Sequence, residues 1–194
     1  CTRPIRHDLI RVSGARANNL HDIAVEIPKR RIRQAPRRVR RGLTGAIGRD
    51  RYGWVMVRPF AESDTDELLD VWERASRVAH HFLDPEFFSV ERQEIQQRWL
   101  PMAETVVVEQ DDQVIGFLSL IGNEVGAIFV DPDHQGRGVG RSLMDWARQA
   151  RPWLELDVFE ENAIGRRFYE AYGFQEIGRH ANEATGHTEI RLRL

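Results

Sequence analysis

The stretch Val130-Asp131-Pro132-Asp133-His134-Gln135-Gly136-Arg137-Gly138-Val139-Gly140-Arg141-Ser142 decides how this chain is read. The apolar run Ile128-Phe129-Val130 enters it as a strand. Val139, Leu143, Trp146 and Ala150 leave it at helical spacing. Between strand and helix stand Gly136, Gly138 and Gly140. Glycines let main chain approach a phosphate where side chains would block it. The N–H groups and partial positive charge of a helix start favour an anion there. Arg137 and Arg141 add charge-assisted contacts at the rim. The segment therefore predicts a site for a pyrophosphate-containing ligand, with an ordinary glycine-rich helix start as the alternative for the turn taken alone. Two common phosphate sites do not fit. The dinucleotide pattern G-x-G-x-x-G ends on Arg141 or Leu143 in its two registers, and the Gly-Lys-Ser of an ATPase loop is Gly140-Arg141-Ser142 here.

Outward from this turn the pattern is regular. Residues 105–110, 114–121 and 125–130 read as strands, joined tightly at Asp111-Asp112 and Gly122-Asn123, so an antiparallel meander precedes the turn. Upstream lie a strand at 55–58 ended by Pro59 and a helix at 64–79 with Leu68, Trp72, Ala75 and Ala79 on one face. A second helix spans 90–100 and is ended by Pro101. Downstream come a helix at 138–150, a strand at 154–158, a helix at 162–172 and strands at 175–179 and 188–194. The order β-α-α-β-β-β-α-β-α-β-β predicts a mixed α/β domain over residues 54–194.

Two motifs carry a resemblance to the GCN5-related N-acetyltransferases, the GNAT family. Gln135-Gly136-Arg137-Gly138-Val139-Gly140 resembles the family's Q/R-x-x-G-x-G/A cofactor motif. Asn162-Ala163-Ile164-Gly165-Arg166-Arg167-Phe168-Tyr169-Glu170-Ala171-Tyr172-Gly173-Phe174 resembles its N-x-x-A-x-x-F-Y-x-x-x-G-F signature, with Gly165 in place of the usual alanine. That glycine is expected to loosen its helix slightly. The likeness covers residues 55–194 and implies a three-layer acyl-CoA N-acyltransferase fold, a mostly antiparallel central sheet with helices on both faces. It also implies acetyl-CoA as co-substrate, no metal, and an amine acceptor, with small bacterial enzymes that acetylate peptide or protein amines as the nearest members.

Residue by residue, the resemblance assigns Gln135, Gly136, Arg137, Gly138, Val139, Gly140 and Arg141 to the cofactor turn, the backbone amides of the last four meeting the pyrophosphate. Main-chain groups of Phe129 and Val130 would pair with the pantetheine arm, and Asn162 would contact the cofactor from the next helix. Tyr169 would stand near the thioester sulfur as the acid that protonates the departing thiolate. An aromatic core position beside Phe168 and Tyr172 is its alternative. Glu124, opening the strand before the turn, would be the general base, against the alternative of a solvated turn carboxylate. His80 and His81, beside Phe82, read as histidines at a helix C-terminus interacting with its dipole. His134 is at most a rim contact. A binding module that kept the turn but lost catalysis is the competing function.

The N-terminal segment differs in kind. Residues 1–53 hold 14 Lys/Arg and 4 Asp/Glu, whereas the remainder holds 14 and 26. Alternation predicts a short hairpin from strands at 9–12 and 23–27, followed by a basic, disordered linker at 29–51. Residues 7–32 are similar to the opening of the damage-recognition ATPase of bacterial nucleotide-excision repair, but no G-x-x-x-x-G-K-[ST] loop follows. Nucleic acid is not expected as a partner, since no aromatic residues are interleaved with the charges. Cys1 stands where methionine normally would, which favours a start inside a longer reading frame over a lipidated terminus. One cysteine excludes an internal disulfide framework and a cysteine zinc site. With no run of 18 apolar residues and no apolar secretory core, a cytoplasmic protein without a membrane partner is expected, and a homodimer stays open.

Overall fold

The computed structural model describes residues 53–194 continuously, with side chains from residue 56, and five short strands before them. Four of these are two residues long. β1 (Leu9–Ile10) pairs with β4 (Ile27–Pro28), and β2 (Arg16–Ala17) with β3 (Leu20–His21), both antiparallel. The rest of the expected hairpin and linker lies outside the described residues, with one exception. β5 (Ala46–Asp50), expected to be linker, pairs antiparallel with β6 (Gly53–Pro59) as the outer strand of the main sheet. Its sequence shows no period-2 signal; the open backbone edge of β6 provides the partner.

The main sheet has the order β11 (Gln175–Ala181), β12 (Thr188–Arg193), β10 (Glu155–Phe159), β9 (Glu124–Val130), β8 (Gln113–Ile121), β7 (Glu104–Gln110), β6, β5. Its centre is the meander of β7 (Glu104–Gln110), β8 (Gln113–Ile121) and β9 (Glu124–Val130). Asp111 and Asp112 both have positive φ, 52° and 58°, the backbone of a two-residue type I′ hairpin. Val106 and Val108 of β7 face one layer while Val107 faces the other, so a run without alternation is buried on both sides. α1 (Thr65–Ala79) and α2 (Pro85–Glu94) cover one face through Leu68, Trp72 and Phe88. α4 (Val139–Ala150) covers the other through Val139, Leu143, Met144 and Ala147, with Trp146 partly buried.

The second helix differs from its expected span at both ends. It starts at Pro85, where the Asp84 side chain accepts from the Glu86 N–H at 2.8 Å and the proline needs no hydrogen bond. Nor does Pro101 end it. A π-helical turn, Ile95–Trp99, leads into the three-residue α3 (Leu100–Met102), and this shift in the hydrogen-bond register lets the chain pass the proline.

One pairing positions the site. β10 (Glu155–Phe159) runs parallel to β9, and their ladder contains a single register pair, Glu155 with Glu124. Beyond it the strands splay, so the β10-facing edge of β9 up to Val130 has no strand partner among the described residues. α5 (Ala163–Tyr172) follows β10, and β11 (Gln175–Ala181) and β12 (Thr188–Arg193) close the sheet, β12 pairing antiparallel with β10.

Candidate active site

A cavity of about 510 Å³ opens at this splay. The end of β9 forms one wall through Ile128, Phe129 and Val130. The turn contributes Gln135, Gly136, Gly138, Gly140 and Arg141, α5 contributes Phe168, Tyr169 and Tyr172 among others, and Asn162 and His80 also line it.

The turn is built for an anion. Gly138 is the N-cap of α4 at φ 89°, a left-handed backbone that any Cβ would strain, and Gly136 is left-handed at 73°. Ser142 N–H reaches back to the Gly138 carbonyl at 2.9 Å, so the N–H groups of Val139, Gly140 and Arg141 precede the first closed turn of the helix. Gly140 differs: its backbone is ordinary, and a Cβ would stand 3.3 Å from the Phe168 ring, which would have to give by a few tenths of an ångström. The strand exit is pinned by Asp131, 5% exposed, which accepts from Asp133 N–H at 2.9 Å and from Arg74 of α1 at 2.5 Å. Arg74 also reaches Asp133 at 2.7 Å. The Gln135 side chain donates to the Val130 carbonyl at 3.1 Å.

Most residues expected at the site therefore meet at one cavity. Val139 and Arg137 do not line the cavity: the Val139 side chain is buried in the α4-side core, and Arg137 is exposed on the turn. Tyr169 is both core residue and cavity wall. Its ring packs against Phe168 and Phe174, and burial raises its pKa far above the ordinary tyrosine value, which keeps the hydroxyl protonated.

Glu124 is not among them. The structure places it 7% exposed at the start of β9, five residues before Phe129, bonded through both carboxylate oxygens to Arg191. Arg191 also reaches Glu155 at 2.6 Å and Asp157 at 2.7 Å. Burial pushes the Glu124 carboxyl up, Arg191 only partly offsetting it. This is a partnered buried carboxylate that does not line the cavity, and it is not a solvated turn residue.

His80 departs from expectation in the opposite direction. A histidine stabilised by a helix dipole is cationic and near water; this one is 3% exposed, and burial, with His81 adding to it, lowers its pKa to about 4. Its Nε2 lies 3.1 Å from Asn162 Nδ2. Asn162 Oδ1 meanwhile accepts from Gly165 N–H at 2.8 Å, capping α5. Gly165 has a packing reason rather than being a mere weak point: a Cβ there would stand 2.8 Å from Asn162 Nδ2. His134 lies beside Asp131 at 3.3 Å and does not line the cavity.

Comparison with known proteins gives a consistent picture. Residues 101–176 match the family model described as an acetyltransferase (GNAT) domain. The peptidyl-lysine N-acetyltransferase YjaB of Escherichia coli is 35% identical over 126 residues, 64% of this chain and 85% of that protein. The solution structure of apo YjaB superposes with a TM-score of 0.65 at 30% identity, covering 72% of this chain and 96% of that one. An N-acetyltransferase from Thermoplasma acidophilum, determined in complex with coenzyme A, has the same fold, with a TM-score of 0.63 at 17% identity, covering 72% and 97%.

Proposed function

Because the chain belongs to the GNAT family of acetyltransferases, enzymes that move an acetyl group from acetyl-CoA to an amine, we propose that its acceptor is a lysine side chain of a peptide or protein. The observation that carries this reading is the single cavity joining the α4 turn, the unpaired edge of β9 and Tyr169. Support for the acceptor comes from YjaB, which acts on peptidyl lysine, and from the 26 acidic against 14 basic residues after position 53, which favour a cationic partner.

The N–H groups of Gly138, Val139, Gly140 and Arg141 hold the pyrophosphate, with the Arg141 guanidinium at its rim. The backbone of Phe129 and Val130 receives the pantetheine arm as an added strand, where β10 has splayed away. The amine, its ammonium proton released to solvent, attacks the thioester carbonyl carbon directly. As the carbon–sulfur bond breaks, Tyr169 gives its proton to the thiolate and regains one from the new amide nitrogen, a role for which a buried, protonated hydroxyl is suited. No covalent enzyme intermediate enters, and alignment of the two substrates supplies much of the acceleration. Glu124 has no part in this reading. Residues 1–45, including the repair-ATPase-like stretch 7–32, have no role in this reading, and the sheet of the catalytic unit begins with β5 at Ala46.

The test is thiol release from acetyl-CoA against lysine peptides, peptides with only an α-amine, free amino acids, polyamines and aminoglycosides, with Tyr169→Phe alongside. Lysine-dependent release that falls about 100-fold or more in the variant is expected. Release with small amines but not peptides would refute the acceptor assignment. Acetyl-CoA binding without release would establish a binding module instead.

A further inference from the structure

The cavity and its domain have charges of opposite sign. Residues after position 53 hold 26 acidic and 14 basic side chains, yet the cavity lining contains no aspartate or glutamate. Its charged residues are Arg141 from α4 and Arg167 from α5, both exposed.

Neither has a carboxylate partner among the described residues. Elsewhere in the domain an arginine usually meets one, as Arg58, Arg74, Arg92, Arg151, Arg179 and Arg191 do. Arg166, next to Arg167 in the chain, donates to the Glu160 carbonyl at 3.0 Å. Arg141 lies over the Tyr172 ring, 5.6 Å from its centre, and the Tyr172 hydroxyl donates to Asp145 at 2.6 Å. That guanidinium therefore rests on a fixed platform beside the turn. Arg167 makes no hydrogen bond, ion pair or ring contact among the described residues. Two like charges at one cavity, with no carboxylate in its lining to offset them, raise the local concentration of an anion.

The place of Arg167 on α5 selects which anion. Each residue turns an α-helix by about 100°, so Arg167, two residues before Tyr169, lies nearly opposite it, about 160° around the axis. Ile164, Phe168 and Ala171 line the cavity from the arc between them. Tyr169, buried, marks the sulfur end of the site, and Arg167 stands at the exposed edge of the same helix face. A donor with its thioester at Tyr169 and its pyrophosphate on the α4 turn brings its nucleotide end toward Arg167. In coenzyme A that end carries a phosphomonoester on the ribose 3′-oxygen, with roughly two negative charges at neutral pH. The turn amides and Arg141 already serve the pyrophosphate. The planar guanidinium of Arg167 suits the phosphate that remains.

We propose that Arg167 holds the ribose 3′-phosphate of the acyl donor, so that the enzyme distinguishes thioesters of coenzyme A from those of dephospho-CoA. The proposal rests on the assignment of this cavity to acetyl-CoA, and the experiment separates the two. The full chain is titrated calorimetrically with CoA and with dephospho-CoA. Wild type is expected to bind CoA about 10-fold more tightly, the effect of one charge-assisted contact at an exposed site. Arg167→Ala is expected to weaken CoA about 10-fold and to bind the two ligands alike. Arg167→Glu is expected to reverse the preference, since it repels the extra phosphate. Arg141→Ala is expected to weaken both ligands by the same factor, because both carry the pyrophosphate. The KM values for acetyl-CoA and acetyl-dephospho-CoA are expected to follow the same pattern.

Equal wild-type affinity for CoA and dephospho-CoA overturns the proposal and leaves the cavity assignment in place. So does a loss in Arg167→Ala that is the same for both ligands. If Arg141→Ala, and not Arg167→Ala, abolishes the discrimination, the 3′-phosphate belongs to Arg141 and the proposal falls. If wild type binds neither ligand, the cavity assignment falls and takes the proposal with it.

Discussion

Replacing Arg191 with leucine removes the cation shared by Glu124, Glu155 and Asp157, whose side chains are only 7%, 11% and 3% exposed. In the intact protein, burial pushes the Glu155 carboxyl up, but hydrogen bonds to Arg191 and Arg193 outweigh it and hold that group below the ordinary range. Breaking a buried pair by removing one partner costs about 3–5 kcal/mol, because the remaining charges stay out of water unpaired. Glu124 and Asp157 lose this partner while Glu155 keeps Arg193, so a value within that range is expected at pH 8. Leucine cannot stabilise the charged form of Glu124, which burial already pushes up, so that carboxyl rises further above its value in the unfolded chain. The variant then takes up a proton on folding and regains stability as pH falls through that raised value. The assay is urea unfolding of wild type and Arg191→Leu at pH 8 and pH 5, followed by tryptophan fluorescence, with Trp72 and Trp99 both buried reporters. A drop in Tm of roughly 10 °C or more at pH 8 should accompany it. A deficit below about 1 kcal/mol, the value of an exposed pair, or one that does not shrink at pH 5, would refute the account of this cluster as a buried, charge-balanced hub.

The same cluster predicts that Glu124→Gln lowers stability yet leaves the pH profile of kcat/KM unchanged; disappearance of the acidic limb would restore Glu124 as the base. Burial, with a smaller contribution from Glu94, pushes the Glu91 carboxyl up to about 8. A raised folded pKa makes the wild type lose stability as pH rises from the ordinary glutamate range through that value, so Glu91→Gln should flatten urea midpoints between pH 5 and 9. The slope removed is about 3–4 kcal/mol over that interval, and unchanged slopes would count against the burial of a protonatable Glu91. Gly138→Ala meets no steric obstacle but forces a Cβ onto φ 89°, so it should cost about 1–2 kcal/mol and raise the KM for acetyl-CoA, read by thermal unfolding and initial rates.

What the sequence determined by itself is local. The phosphate turn was legible because a strand, three glycines and an amphipathic helix follow one another between Ile128 and Ala150, and strand–turn–helix chemistry depends on neighbours in the chain. The meander was legible from period and turn residues, and α5 from a motif contained in 13 residues, though the capping role of Asn162 was not. The contacts that only tertiary structure decided join distant positions. Glu124 and Arg191 are 67 residues apart, and their pairing follows from the register of β9, β10 and β12, which no local pattern encodes. His80 and Asn162 are 82 apart and meet because α1 ends over the point where β9 and β10 splay. A histidine at a helix end looks the same in sequence whether water or three phenylalanine rings surround it. Burial, which decides between a dipole-stabilised cation and a neutral ring, is a property of the packed layers alone.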